Sequence, residues 1–219
     1  MFLFSRTASI KERRVEMVNH NDVIEIDITQ EELELAMAMS SKSEIGGESR
    51  IREKQDRMNN LRIDQFIGTG LGELAGNKYF FSVDRYVMTR EERNKNPFSG
   101  DNGSDTDGYR INYKTSRLRL HSDYMNYKLA VRSHERYRDL SYVLVAVQTY
   151  NITDVNALVF GPIKPKVYLI GWATDQMLDN NQETNGLFGG AFCLYPDRLL
   201  KVKDLKANLS HFKEYVFSS

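Results

Sequence analysis

Apolar and acidic residues alternate in VIEIDI (23–28), which predicts a strand with one buried face. The next stretch, TQEELELAMAMS (29–40), opens on a threonine, continues with acids and ends in good helix formers, so it predicts a helix capped at Thr29. Residues 50–60 read as a charged helix with little apolar surface. From 61 to 80, Ile63, Phe66, Ile67, Leu71 and Leu74 recur at helical spacing and predict a buried stripe with Glu73 at its edge. Gly68, Gly70 and Gly72 each cost a helix about 1 kcal/mol against alanine, so they must relieve crowding or admit a backbone or ligand. YFFSVDRYVMT (79–89) is β-prone, and 90–108 reads as a long polar loop. YRINYKTSRLRL (109–120) alternates again, with Tyr109, Ile111 and Tyr113 on one face and Arg110, Asn112 and Lys114 on the other. Residues 124–140 read as a basic helix or an irregular segment. SYVLVAVQTY (141–150) and KVYLIGWAT (166–174) are near-continuous apolar runs, the mark of strands inside a covered sheet. The last thirty residues or so end in one short helix or two.

This order of elements implies an α/β chain with a mixed central β-sheet flanked by helices. Residues 1–60 form an N-terminal extension, a strand plus helices packing on the core, and 61–219 form the core domain.

The chain has 219 residues, 41% hydrophobic and 11% aromatic, enough for a sizeable core. Its 30 basic and 30 acidic residues cancel, which argues against binding polyanions through bulk charge. The cations are uneven, however: Arg110, Lys114, Arg117, Arg119, Lys128, Arg132, Arg136 and Arg138 crowd one third of the chain. Cys193 is the only cysteine, so a disulfide framework and a thiolate metal cluster are excluded. The opening residues lack a signal-peptide core, and no stretch approaches the roughly 18 apolar residues of a membrane span. A cytoplasmic protein with no membrane partner is expected.

GLGELA (70–75) matches a dinucleotide-binding fingerprint by letter, but a buried strand should precede it, and RIDQFIGT has helical spacing instead. The four histidines are scattered, with no serine or cysteine partner for a nucleophile. Glu73, Asp107, Asn112 and Lys114 are the remaining candidates. Asn112 and Lys114 point the same way from their strand, Asp107 sits in an Asp-Gly turn at its start, and Glu73 comes from the preceding helix. Oxygen ligands of this kind suit Mg²⁺, and a lysine beside the ion can orient an attacking water. The bland alternative is an ordinary turn followed by an edge strand with an exposed lysine.

GELAGNKYF, DGYRINYKTS, YVLVAVQ and VYLIGWAT, in this order, resemble the PD-(D/E)xK, or restriction-endonuclease-like, nuclease superfamily, with small phage-type members the nearest likeness. The resemblance covers about residues 61–200. It implies a restriction-endonuclease-like core and Mg²⁺-dependent hydrolysis of DNA phosphodiesters, endonucleolytic rather than exonucleolytic, with Mn²⁺ as an alternative ion. It also implies a catalytic set of Glu73, Asp107, Asn112 and Lys114, with the first three as metal ligands. If the source is a phage, the location is the host cytoplasm. The sequence departs from the family at Asn112, where an aspartate or glutamate is expected. Three explanations stand: a replaced acid, an enzyme that tolerates asparagine, or a degenerate copy that binds DNA without cutting it. Lys128, Arg132 and Arg136 are the candidates for phosphate contacts. A silent DNA- or protein-binding module is the alternative function, and a homodimer or a partner protein is compatible with the sequence.

Overall fold

The structure is a computed structural model, and it describes residues 17–42, 63–95, 105–106, 108–137, 139–179, 181–182 and 190–213. The charged helix expected at 50–60 and the Asp107 side of the Asp-Gly turn lie outside the described residues.

The main sheet has four strands in the order β1-β5-β4-β2. β1 (Ile24–Ile26) is an edge strand antiparallel to β5 (Lys166–Thr174), with Ile24 opposite Leu169. β5 runs antiparallel to β4 (Ser141–Gln148), and β4 runs parallel to β2 (Ile111–Leu118), so the sheet is mixed. The two apolar runs are its inner strands: Leu144, Val145, Ala146, Leu169 and Ile170 are all fully buried. Absence of alternation signals cover on both faces, and both faces are covered here. On one, Val143, Val145, Val147, Val167 and Leu169 pack against helices. On the other, Tyr142, Leu144, Ala146 and Ile170 pack against a small antiparallel sheet of β3 (Leu129–Arg132) and β6 (Ala191–Leu194).

The helical face starts with α1 (Gln30–Lys42), capped as its sequence predicts. The Thr29 hydroxyl accepts from Glu32 N at 3.3 Å, and Glu32 Oε2 accepts from Thr29 N at 2.8 Å. The predicted stripe is one helical run whose middle, Phe66–Gly72, is a π-helix, followed by α2 (Glu73–Phe80). Ile63, Phe66, Ile67, Leu71 and Leu74 are all buried. Of the three glycines, Gly70 and Gly72 allow a close approach, Gly68 faces open space, and Gly76 adds a further close approach. A Cβ on Gly72 would sit 2.0 Å from Thr115 Oγ1, and one on Gly76 would sit 2.2 Å from the Tyr113 ring. A Gly76→Ala variant gains about 1 kcal/mol of helix propensity. The Tyr113 ring is buried and cannot yield cheaply, so urea unfolding should show a net loss of about 1–2 kcal/mol from overpacking.

Two expected elements differ. The β-prone stretch 79–89 is largely helix: α3 spans Val83–Lys95 and reaches into the expected loop. Its inward positions, Val83, Tyr86, Val87 and Arg90, follow helical spacing. The aromatic and β-branched content of the stretch obscured that stripe, which ends on a charged residue. The basic segment 124–140 is not a helix either. It holds β3 between short 3-10 turns, because Leu129 and Val131 alternate into the second core layer. The rest of the chain supplies α4 (Val155–Phe160), α5 (Asp175–Leu178) and α6 (Val202–Ala207), followed by a 3-10 turn at Leu209–Phe212.

Candidate functional site

α2 lies along β2 so closely that its glycines touch Tyr113 and Thr115. The odd-numbered side chains of β2 therefore face the helices, and the even-numbered ones face the other layer. Ile111 and Tyr113 belong to the helical core layer, whereas Asn112 pairs in register with Tyr142 and Lys114 with Leu144, both residues of the opposite layer.

Glu73 is buried on the helical side, and its Oε1 forms a close ion pair with Nη2 of Arg90 from α3. Arg90 is buried too and also donates to the Thr69 carbonyl at 3.4 Å, where the Tyr86 hydroxyl donates at 3.3 Å. A second carboxylate stands nearby. Asp105 is buried, and its Oδ2 accepts from Tyr113 N at 2.6 Å, while its carbonyl accepts from Asn77 Nδ2 at 3.4 Å. Burial pushes the Tyr113 hydroxyl far above the ordinary tyrosine range, and the Asp105 and Glu73 carboxylates push the same way against Thr106 and Arg85. Burial and the Glu73 charge likewise raise Tyr86. Both phenols are therefore neutral hydrogen-bonding groups in a closed, charged core network.

Lys114 lies across the sheet from this network. Its Nζ is 2.8 Å from Glu135 Oε2, next to the end of β3. Asn112 is buried on the same side. The expected pocket uniting Glu73 with Asn112 and Lys114 is thus divided by the sheet itself, because the helix covers the face that carries Tyr113 and Thr115. Asp107 lies outside the described residues. Asp105, two positions earlier, is the described carboxylate that acts on Tyr113 together with Glu73.

The described residues do not fit a Mg²⁺ site of the expected composition. A cation at Glu73 would meet the Arg90 guanidinium, and the other two candidates are on the far face. Among the described residues, no three His, Cys, Asp or Glu side chains gather as a metal-ligand group.

The three phosphate-contact candidates differ in their engagement. Arg132 is exposed at the end of β3. The Lys128 ammonium lies 4.9 Å from the ring centre of Tyr195, which is itself 47% exposed. Arg136 is already committed: it pairs closely with Asp175 through Nε and with Asp179 at 2.5 Å through Nη2, and it stacks over Phe192. Gln148 sits at the C-terminal end of β4, the opposite end of the sheet from Asn112, and caps backbone there, accepting from Tyr150 N at 3.0 Å and donating to Arg119 O at 3.4 Å.

Sequence reasoning missed Arg90, Asp105 and Tyr86. The inward helical spacing of α3 marks Tyr86 and Arg90. Asp105 stands in the same short acidic stretch as Asp107, and only the placement of β2 singles it out. No helix among the described residues is long and apolar enough to cross a membrane. No family model, no curated protein and no solved structure matches the chain.

Proposed function

We propose that the protein is a binding module on a restriction-endonuclease-like core that holds nucleic acid without hydrolysing it. The carrying observation is the division of the expected catalytic set. Glu73 and Lys114 face opposite sides of β2, and each is engaged by a counter-ion, Arg90 and Glu135. A lysine that positions water must sit within hydrogen-bond reach of the reacting atoms, and the sheet stands between Lys114 and Glu73.

Nucleic acid is the ligand class because of Lys128, Tyr195 and Arg132. Lys128, just before β3, and Arg132, at its end, fall on one face by alternation, and Tyr195 follows β6 directly across from Lys128, extending the Leu129–Leu194 register. An exposed ring with a cation beside it is the platform on which single-stranded bases stack, and a second cation along the same face can hold a phosphate. The neutral net charge suits such a local patch.

Fluorescence anisotropy with single- and double-stranded DNA, without metal, tests this. Single strands should bind in a salt-dependent way, and Tyr195→Ala and Lys128→Ala should each weaken binding several-fold. Neither the protein nor its Asn112→Asp variant should cleave DNA in Mg²⁺ or Mn²⁺. Cleavage that Glu73→Gln abolishes would overturn the proposal in favour of the nuclease. Absence of binding to any DNA would point to a protein partner.

One observation favours the second reading, a metal-dependent deoxyribonuclease: Glu73 and Asp105 both act on Tyr113 from the same side of β2. In that reading Asp105 takes the place given to Asp107, and Tyr113 and Thr115 occupy the strand positions where the acid and lysine would be needed.

A further inference from the structure

At the end of the main sheet where β2 and β4 begin and β5 ends, a cleft of about 670 Å³ opens between Arg110, Ser141, Thr174 and the 3-10 turn at Leu209–Phe212. That volume lies within the roughly 300–1,000 Å³ of small-molecule sites. We propose that this cleft binds a phosphomonoester, its phosphate held by Arg110, Lys213 and His211 and its organic body resting against Leu140 and Phe212.

Charge comes first. The Arg110 guanidinium has five donors in a fork, and Nη1 spends one on Asp139 Oδ2 at 3.2 Å. Lys213 and His211 are both exposed on the cleft wall. Two carboxylates also line the cleft, and both are offset: Asp139 by Arg110, and Asp175 by Arg136 from outside. With Arg136 and both of its carboxylates, Asp175 and Asp179, counted, these charges balance, so what the wall offers a ligand is N–H donors, the rest of the Arg110 fork and the Lys213 ammonium. A fork and an ammonium together match the several oxygens of a phosphate better than the two of a carboxylate.

Rigidity comes second. The four segments that line the cleft are stitched together by backbone hydrogen bonds. Arg110 N donates to Phe212 O at 2.9 Å, Ser141 N to Arg110 O at 2.9 Å, and Asp175 N to Leu140 O at 3.2 Å. Tyr109 also bridges Lys213. Donors mounted on a fixed backbone lose less freedom on binding. The apolar wall is fixed as well, since the Phe212 ring packs edge-on against Trp172 with centroids 5.6 Å apart.

The neighbouring cavity shows the contrast. It holds about 470 Å³ between Ser133, Arg136, Asp175, Asp179 and Phe192. Among its described lining residues the one cation is Arg136, which two carboxylates already occupy. The same sheet end therefore has one cleft with donors to spare and one without.

A phosphomonoester can be a free nucleotide or the 5′ end of a nucleic-acid strand, and the test separates them. Adenosine 5′-monophosphate, adenosine and inorganic sulfate would be titrated by calorimetry. A 5′-phosphorylated oligonucleotide would be compared with its 5′-hydroxyl form. Adenosine 5′-monophosphate should bind, with adenosine and sulfate at least about tenfold weaker. Arg110→Gln and Lys213→Gln should each weaken it about tenfold without lowering the thermal midpoint. A preference of the same residues for the 5′-phosphorylated strand identifies the strand end as the source, and its absence leaves the free nucleotide. Equal binding of sulfate and nucleotide, no binding at millimolar concentration, or binding unchanged in both variants would overturn the proposal. Because free nucleotide is tested apart from DNA, this proposal and the nucleic-acid module can fail separately.

Discussion

Replacing Glu73 with alanine is expected to cost about 3–5 kcal/mol of folding stability, since it leaves Arg90 charged and buried without its carboxylate. The Glu73 and Arg90 side chains are only 10% and 7% exposed, so water cannot take over the pairing. Arg90 keeps its long bond to the Thr69 carbonyl, which offsets only part of the loss. The double variant Glu73→Leu with Arg90→Met should recover most of the stability, because two apolar side chains of similar size remove the charge and its partner together. Urea unfolding followed by circular dichroism reads all three proteins. The result bears on function as well. A carboxylate kept for catalysis is often a strained group whose removal is neutral or stabilising. A Glu73→Ala protein as stable as its parent would show that the ion pair is not structural and would revive the metal-ligand role.

Leu169→Ala should cost about 2–5 kcal/mol, counting both the lost transfer energy and the cavity left behind. Leu169 is fully buried in the middle of β5, opposite Ile24 of β1 and Val145 of β4. Neighbours on both flanks are held by sheet hydrogen bonds and cannot collapse into the space. For a chain of this size the thermal midpoint should fall by roughly 4–20 °C. Phe160→Ala serves as the control: that side chain is 58% exposed, so its removal should change stability by no more than about 0.5 kcal/mol. A Leu169→Ala protein that melts with its parent would contradict the central place of β5.

Local pattern by itself determined much of this molecule. Alternation located β1 and β2, Thr29 followed by acids located the start of α1, and unbroken apolar runs identified β4 and β5 as inner strands. Helical spacing identified the buried stripe that carries Glu73. These signals were legible because each is a periodicity within a single segment, imposed by the geometry of that segment alone. The strands of the small sheet were not: LAVR and AFCL do not alternate apolar with polar residues as VIEIDI does, so no period stands out in β3 or β6.

The site depended on a different kind of information. A period of two establishes that Asn112 and Lys114 share a face, but not which face the glycine-bearing helix will cover. That choice was made by packing between segments distant in sequence. Gly72 and Gly76 leave room for Thr115 and Tyr113, so α2 settles on the odd-numbered face, and Lys114 turns to Glu135 across the sheet. The pairing of Glu73 with Arg90 likewise needs α3 to fold back alongside α2. Only the tertiary structure could decide these, because a strand's two faces are equivalent until another element covers one of them.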